Sequence, residues 1–156
     1  MEDRFGPEFG LERFVRAQEG AYGDVLDELR AGQKRSHWMW FVFPQLKGLG
    51  RSATSDFFGI ESMEEARAYL KHEVLGPRLR ECARLVNAVE GRRIVEILGW
   101  PDDMKFRSSM TLFARAAEAA GNVESAAEFR AALEKYFGDE EDPRTVEREG
   151  SGAGSL

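Results

Sequence analysis

Two stretches of this chain bring together residue types that can bind or react. In the first, Lys34-Arg35-Ser36-His37 supplies cations, a hydroxyl and an imidazole directly before six consecutive apolar residues, Trp38-Met39-Trp40-Phe41-Val42-Phe43. Pro44-Gln45 closes that run, and the glycine-rich basic segment Leu46-Lys47-Gly48-Leu49-Gly50-Arg51-Ser52 follows. In the second stretch, Asp102-Asp103-Met104-Lys105 stands before Arg107 and the hydroxyls of Ser108, Ser109 and Thr111. An apolar wall with a few convergent polar groups is how small-molecule pockets are built. The chemistry here suits an anionic ligand such as a nucleotide or an ADP-ribose-like molecule. Lys34, Arg51 and Lys105 would supply counter-charge, and Trp38 or Trp40 a stacking surface. Ser36, His37, Gln45, Ser108, Ser109 and Thr111 would complete the polar lining.

Each feature also has a plainer structural use. Trp and Phe bury the largest areas of any side chain, so Trp38–Phe43 also reads as core. Mid-helix hydroxyls commonly bond back to the preceding turn. Asp102 and Asp103 fit a helix start, although either carboxylate, or Glu28, could act as a base in a glycosidic hydrolysis. Backbone amides around Gly48 and Gly50 could surround a phosphate, but the loop lacks the third glycine of a dinucleotide fingerprint. No cofactor is expected. Ser36 and His37 are adjacent, so their side chains diverge and make no nucleophile pair. With His37 and His72 the only histidines, no metal site is expected.

The run from Lys34 to Ser52 resembles the signature of a bacterial domain-of-unknown-function family numbered eighteen-ten, whose members often carry the label "calpastatin". Further matches are Arg13-Phe14 with Ala17-Gln18, Leu75-Gly76-Pro77-Arg78-Leu79, and Asp102 to Phe113, so the resemblance extends from about Leu11 to Asp142. It implies a compact, mainly helical domain and no established activity. A calpastatin-type inhibitor would be poor in hydrophobics and disordered, whereas this chain is 42% hydrophobic. A shorter similarity in order, Phe14-x-x-Ala17-Gln18, then a basic segment with Trp, then a Met-containing helix, is to the NADAR-type families tied to ADP-ribose chemistry.

The elements that must position these residues follow from periodicity. Leu11–Gln18 and Tyr22–Leu29 show helical spacing, the second ending near Gly32. The aromatic run fits a short buried helix or a strand; helical neighbours without partner strands favour the helix, ended by Pro44. Ser62 with Glu65 makes a capping box, and His72 at that helix's end suits a dipole-facing cation. Pro77 opens a helix with a Leu75, Leu79, Cys82, Ala83, Val86 stripe, on which Cys82 is an inert core thiol. Ile94–Leu98, the Asp102 segment and Val123–Phe137 follow. The expectation is an all-α or mainly α single-domain bundle of about six to eight short helices over 11–142. Residues 1–10 would be irregular and 143–156 a flexible tail, rich in charge and then in Gly and Ser.

The 156 residues carry a net charge of −6, which disfavours nucleic-acid binding. One cysteine excludes an internal disulfide. No apolar run approaches a membrane span and no signal peptide is visible, so a cytoplasmic protein is expected. Beside the small anionic ligand, the alternative function is a non-catalytic interaction module that presents Gly48–Ser52 to a protein partner.

Overall fold

The structure, a computed structural model, describes residues 10–154. Its helices, in chain order, are α1 (Glu12–Glu19), α2 (Tyr22–Arg30), α3 (Met39–Val42), α4 (Ala53–Phe57), α5 (Met63–Lys71), α6 (Leu75–Ala88), α7 (Ile94–Leu98), α8 (Asp102–Ala119), α9 (Val123–Phe137) and α10 (Pro143–Gly154). The all-α class is as expected. Among the described residues ten helices exceed the six to eight expected, because the short α3, α4 and α7 and the C-terminal α10 add to the longer ones. Extended pairing among the described residues is confined to one parallel bridge between Leu46 and Ile60.

Helix α8 is the axis. Phe106, Met110, Leu112, Phe113, Ala114, Ala116 and Ala117 are all fully buried, and α5, α7, α9 and α10 pack against it. A helix buried over most of its length, its apolar side chains reinforced by buried hydroxyls, belongs in the middle of a core. Small residues on its C-terminal half let neighbours approach closely, and large ones on its N-terminal half meet the aromatic run. Phe43 stands edge-on to Phe106 with centroids 4.9 Å apart, and Trp38 lies 6.2 Å from Phe43. A second aromatic line runs Phe14–Tyr69–Phe113–Phe129 at spacings of 5.1, 5.2 and 6.1 Å. Each buried ring contributes roughly 1.5–3 kcal/mol, and edge-to-face contact adds to it.

Local signals set the boundaries. Ser52, Ser62 and Asn122 each accept a backbone N–H three residues on, capping α4, α5 and α9. Gly138 ends α9 in the left-handed conformation at φ +61°. The aromatic run is helical only over Met39–Val42, and Pro44 stops it. His72 differs from its expected use. Its Nδ1 accepts the N–H groups of Val74 and Leu75 at 3.1 and 3.2 Å, capping the start of α6. Burial lowers its pKa, so the neutral imidazole is an acceptor, where a dipole-facing cation was expected.

The flexible tail expected from 143 onward is a helix instead. Asp142 caps α10: its Oδ2 accepts from the Thr145 N–H and hydroxyl at 3.2 and 2.5 Å. Pro143 occupies the first helical position, which suits it. Composition hid this, because the Gly/Ser-rich end masks the Asp-Pro-x-Thr helix start. The expected irregular N-terminus falls on residues outside the described ones, Gly10 excepted.

Candidate functional site

Glu28, on α2, organises the turn before the aromatic run. Its carboxylate accepts the Arg35 N–H (2.8 Å), the Ser36 N–H (3.1 Å), the Ser36 hydroxyl (2.6 Å) and the Trp38 indole N–H (2.8 Å). Burial alone would raise its pKa. The Ser36 hydroxyl, the Arg35 N–H and the Trp38 indole outweigh that and hold it at about 2. Such a carboxylate stays ionised and saturated with donors. It fixes the turn and cannot serve as a proton donor near neutral pH. Ser36 and Trp38 are therefore positioned by Glu28; Trp38 is 1% exposed and belongs to the core.

Lys34 comes out of the same turn, its N–H bonded to the Ile97 carbonyl at 2.7 Å. Its ammonium meets Asp102 at 2.9 Å and lies 5.1 Å from the centre of the Trp38 ring. On the other side of Asp102, Lys105 stands 3.5 Å away, over Trp40 at 4.9 Å. Two lysines thus flank one aspartate, each stacked on its own indole, leaving one positive charge in excess. Asp102 acts here as a counter-ion as well as standing at the start of α8.

Trp40, Gln45 and Lys105 meet at a depression also lined by Met39, Phe43, Ser55 and Phe58. It encloses about 10 Å³, room for at most one water and far less than a nucleotide needs. The indole N–H of Trp40 is buried without a hydrogen-bond partner among the described residues. The segment over the depression runs from Leu46 to Phe58. A side chain at Gly50 would strike Ser55 and reach within 3.5 Å of the Gln45 amide, so the absent side chain is what lets this segment close down. Its ends are pinned: Ile60 donates to the Gln45 carbonyl at 2.9 Å, and Arg13 donates to the Phe57 and Gly59 carbonyls at 2.6 and 2.9 Å.

The hydroxyls of α8 stand elsewhere. Ser108 donates to Asp142 Oδ2 at 2.8 Å, and Thr111 Oγ1 accepts the Asp142 N–H at 2.9 Å while donating to the Arg107 carbonyl at 2.8 Å. They hold α10 to α8. Ser109 is fully buried, its hydroxyl unpartnered among the described residues. Arg51 and His37 are exposed. The residues expected to form one site therefore fall apart, into the Glu28 turn, the Trp40 depression and the α8–α10 seam, with Arg51 exposed on the glycine loop.

A buried polar knot around Gln18, one of the residues that carry the family resemblance, lies behind the aromatic run. Gln18, 2% exposed, donates to the Phe41 carbonyl at 2.7 Å and accepts from Arg78 at 3.2 Å. Arg78 in turn lies 4.6 Å from the centre of the Tyr22 ring. The signal available was Gln18 itself, a polar residue on an otherwise apolar helix face. Burial pushes the Cys82 thiol up to about 12, consistent with an inert core position. Among the described residues no group of three His, Cys, Asp or Glu side chains could hold a metal ion, and no helix is long and apolar enough to cross a membrane.

The family model described as a protein of unknown function, DUF1810, matches residues 8–148. The chain belongs to the DUF1810 family. It is 57% identical to the conserved hypothetical protein Rv1873 from Mycobacterium tuberculosis, whose crystal structure superposes with a TM-score of 0.87 over 92% of this chain and 98% of that one. None of the curated proteins matches the chain. The three DUF1810 matches outside the Lys34–Ser52 run carry structure as well as pattern: Gly76, Phe106 and the Phe14–Gln18 pair are all buried.

Proposed function

We propose that this DUF1810 protein binds a small anionic ligand, a nucleotide or an ADP-ribose-like molecule, where Trp40, Gln45, Ser55 and Lys105 meet beneath the Leu46–Phe58 segment. The observation that carries this reading is the buried, unpartnered Trp40 N–H on the wall of a depression shared with an amide, a hydroxyl and an ammonium. Leaving such a donor unsatisfied costs about 1–3 kcal/mol, and an acceptor-rich group such as a phosphate or carboxylate would recover it. Lys105 supplies the charge, and Phe41, Phe58 and Trp40 supply aromatic surface. Binding requires the Leu46–Phe58 segment to lift, for which Gly48 and Gly50 provide the backbone freedom. No reaction is assigned, since Glu28 is locked in its turn and Asp102 is engaged by two lysines.

A thermal-shift panel of nucleotides, ADP-ribose and sugar phosphates tests this. A ligand at about 100 times its Kd stabilises by roughly 2.7 kcal/mol. The hit should vanish in Lys105→Ala and survive in His37→Ala. A flat panel would sink the proposal.

The second reading, a non-catalytic interaction module, is favoured by Trp100 and Met104, which are 77% and 43% exposed and stand four residues apart at the start of α8. Capture of a protein partner that is lost in Trp100→Ala, alongside a flat ligand panel, would select it.

A further inference from the structure

The arginines of α10 were hidden within the expected tail, and they meet the glycine loop. Arg144 Nη2 donates to the Leu49 carbonyl at 2.8 Å, across 95 residues of sequence. Four residues on, and so on the same face of α10, Arg148 fills the space that a side chain at position 48 would need: a Cβ there would lie 2.6 Å from the guanidinium carbon. Gly48 itself has φ +96°, a conformation other residues avoid. Arg51 follows in the same loop, exposed.

Among the described residues these three arginines share the lack of a carboxylate partner with Arg35, Lys71, Arg78 and Arg92, but Arg144 and Arg148 alone of that group reach onto the glycine loop. Arg80, Arg84, Arg115 and Arg130 all have carboxylate partners at 2.9 Å or closer, and Lys47 is matched by Glu61. Among the described residues Arg51, Arg144 and Arg148 have no acidic partner within 4 Å, although the net charge is −6. The acidic neighbours on α10 are turned to other work. Glu149 is held by Arg115 at 3.3 Å, and Glu147 lines the groove beside Arg107. The backbone N–H groups of Gly48, Gly50 and Arg51 likewise find no acceptor among the described residues.

We propose that Arg144 and Arg148 of α10, together with Arg51 and the amides of Gly48–Arg51, form a phosphate-binding site. Guanidinium forks match phosphate oxygens two at a time, and free amides of a glycine-containing loop make a concave anion nest. A group with two or more negative charges fits three unmatched cations better than a carboxylate does. This site goes beyond the function proposed above: neither Arg144 nor Arg148 lines the Trp40 depression, and either site can exist without the other.

The test is calorimetric titration of the full chain with inorganic diphosphate at two salt concentrations. The wild-type chain binds, more weakly at high salt. Arg144→Gln with Arg148→Gln weakens binding by at least about tenfold, and Arg51→Gln alone weakens it severalfold, each with a melting temperature near wild type without diphosphate. Lys105→Ala, which removes the cation of the Trp40 depression, leaves diphosphate affinity unchanged. No binding at millimolar diphosphate overturns the site, as does binding that neither arginine variant weakens. Binding lost in Lys105→Ala but kept in the arginine variants also overturns it, and assigns the anion to the Trp40 depression. If the arginine variants only loosen residues 46–58 in hydrogen exchange, at unchanged affinity, the arginines are a latch and the proposal fails.

Discussion

Glu28 shows how one side chain fixes a whole segment. Four donors converge on its carboxylate, so the turn that launches Trp38 into the core depends on a charge that stays ionised. Its pKa falls from the ordinary 4.5 to about 2 on folding. The stabilisation is therefore complete above about pH 4.5 and is lost as the pH drops toward 2. Glu28→Gln puts an amide N–H against donors and should cost about 1–3 kcal/mol at pH 7. Urea unfolding at pH 7 and pH 2.5 checks this: the gap between variant and wild type should narrow at the lower pH, and an equal gap at both would refute the assignment. The sequence named Glu28 only as a possible base, because nothing local reveals that it reaches residues seven to ten positions on. Glycines separate just as sharply at this scale. A Cβ at Gly76 would fall on the Leu70 carbonyl oxygen, whereas one at Gly23 meets nothing. Gly76→Ala should cost about 1–3 kcal/mol, while Gly23→Ala in α2 should stabilise by about 0.5 kcal/mol. Thermal melts of the pair decide this, and equal effects would show that close approach is not what Gly76 serves.

At the scale of elements, the seam between α8 and α10 was the least legible. Ser108, Ser109 and Thr111 were expected to line a site with the aromatic run. Two of them do have a special partner, but it is Asp142 and not the aromatic run. Asp142→Ala removes the cap of α10 and its tie to Ser108 together. It should cost about 2 kcal/mol and raise amide exchange across 143–150, with α9 unchanged. Uniform exchange would mean that α10 is held chiefly by Arg115, whose partners Glu141 and Glu149 lie at 2.9 and 3.3 Å. These pairs are partly open to solvent, with side chains 22–33% exposed, and pairs screened by solvent contribute at most about 1 kcal/mol each, which is why the buried cap is expected to dominate.

For the whole molecule, the aromatic run and α8 form one packed unit. Phe43→Ala and Phe106→Ala should each cost about 3–5 kcal/mol. In a double-mutant cycle their coupling should reach about 0.5–1.5 kcal/mol, given the edge-on contact at 4.9 Å. Additive costs would show that the two rings fill separate parts of the core. The same unit carries the Lys34–Asp102–Lys105 chain across its surface, so rigidity there is inherited from the rings beneath.

The sequence by itself determined the class, most helix positions and the DUF1810 membership, because these rest on local periodicity, caps and long contiguous motifs. It also placed Trp38–Phe43 at the centre, since so much apolar area has nowhere else to go. Tertiary structure alone decided which polar groups meet. Lys34 and Lys105 share Asp102 because the 34–38 turn packs beside α7 and the start of α8. Ser108 and Thr111 face away because they lie on the side of α8 that α10 covers. Arg144 and Arg148 reach the Gly48 loop only because Asp142 starts a helix where composition suggested a tail. Spacing along a chain fixes the face of a helix, and only packing fixes what that face meets.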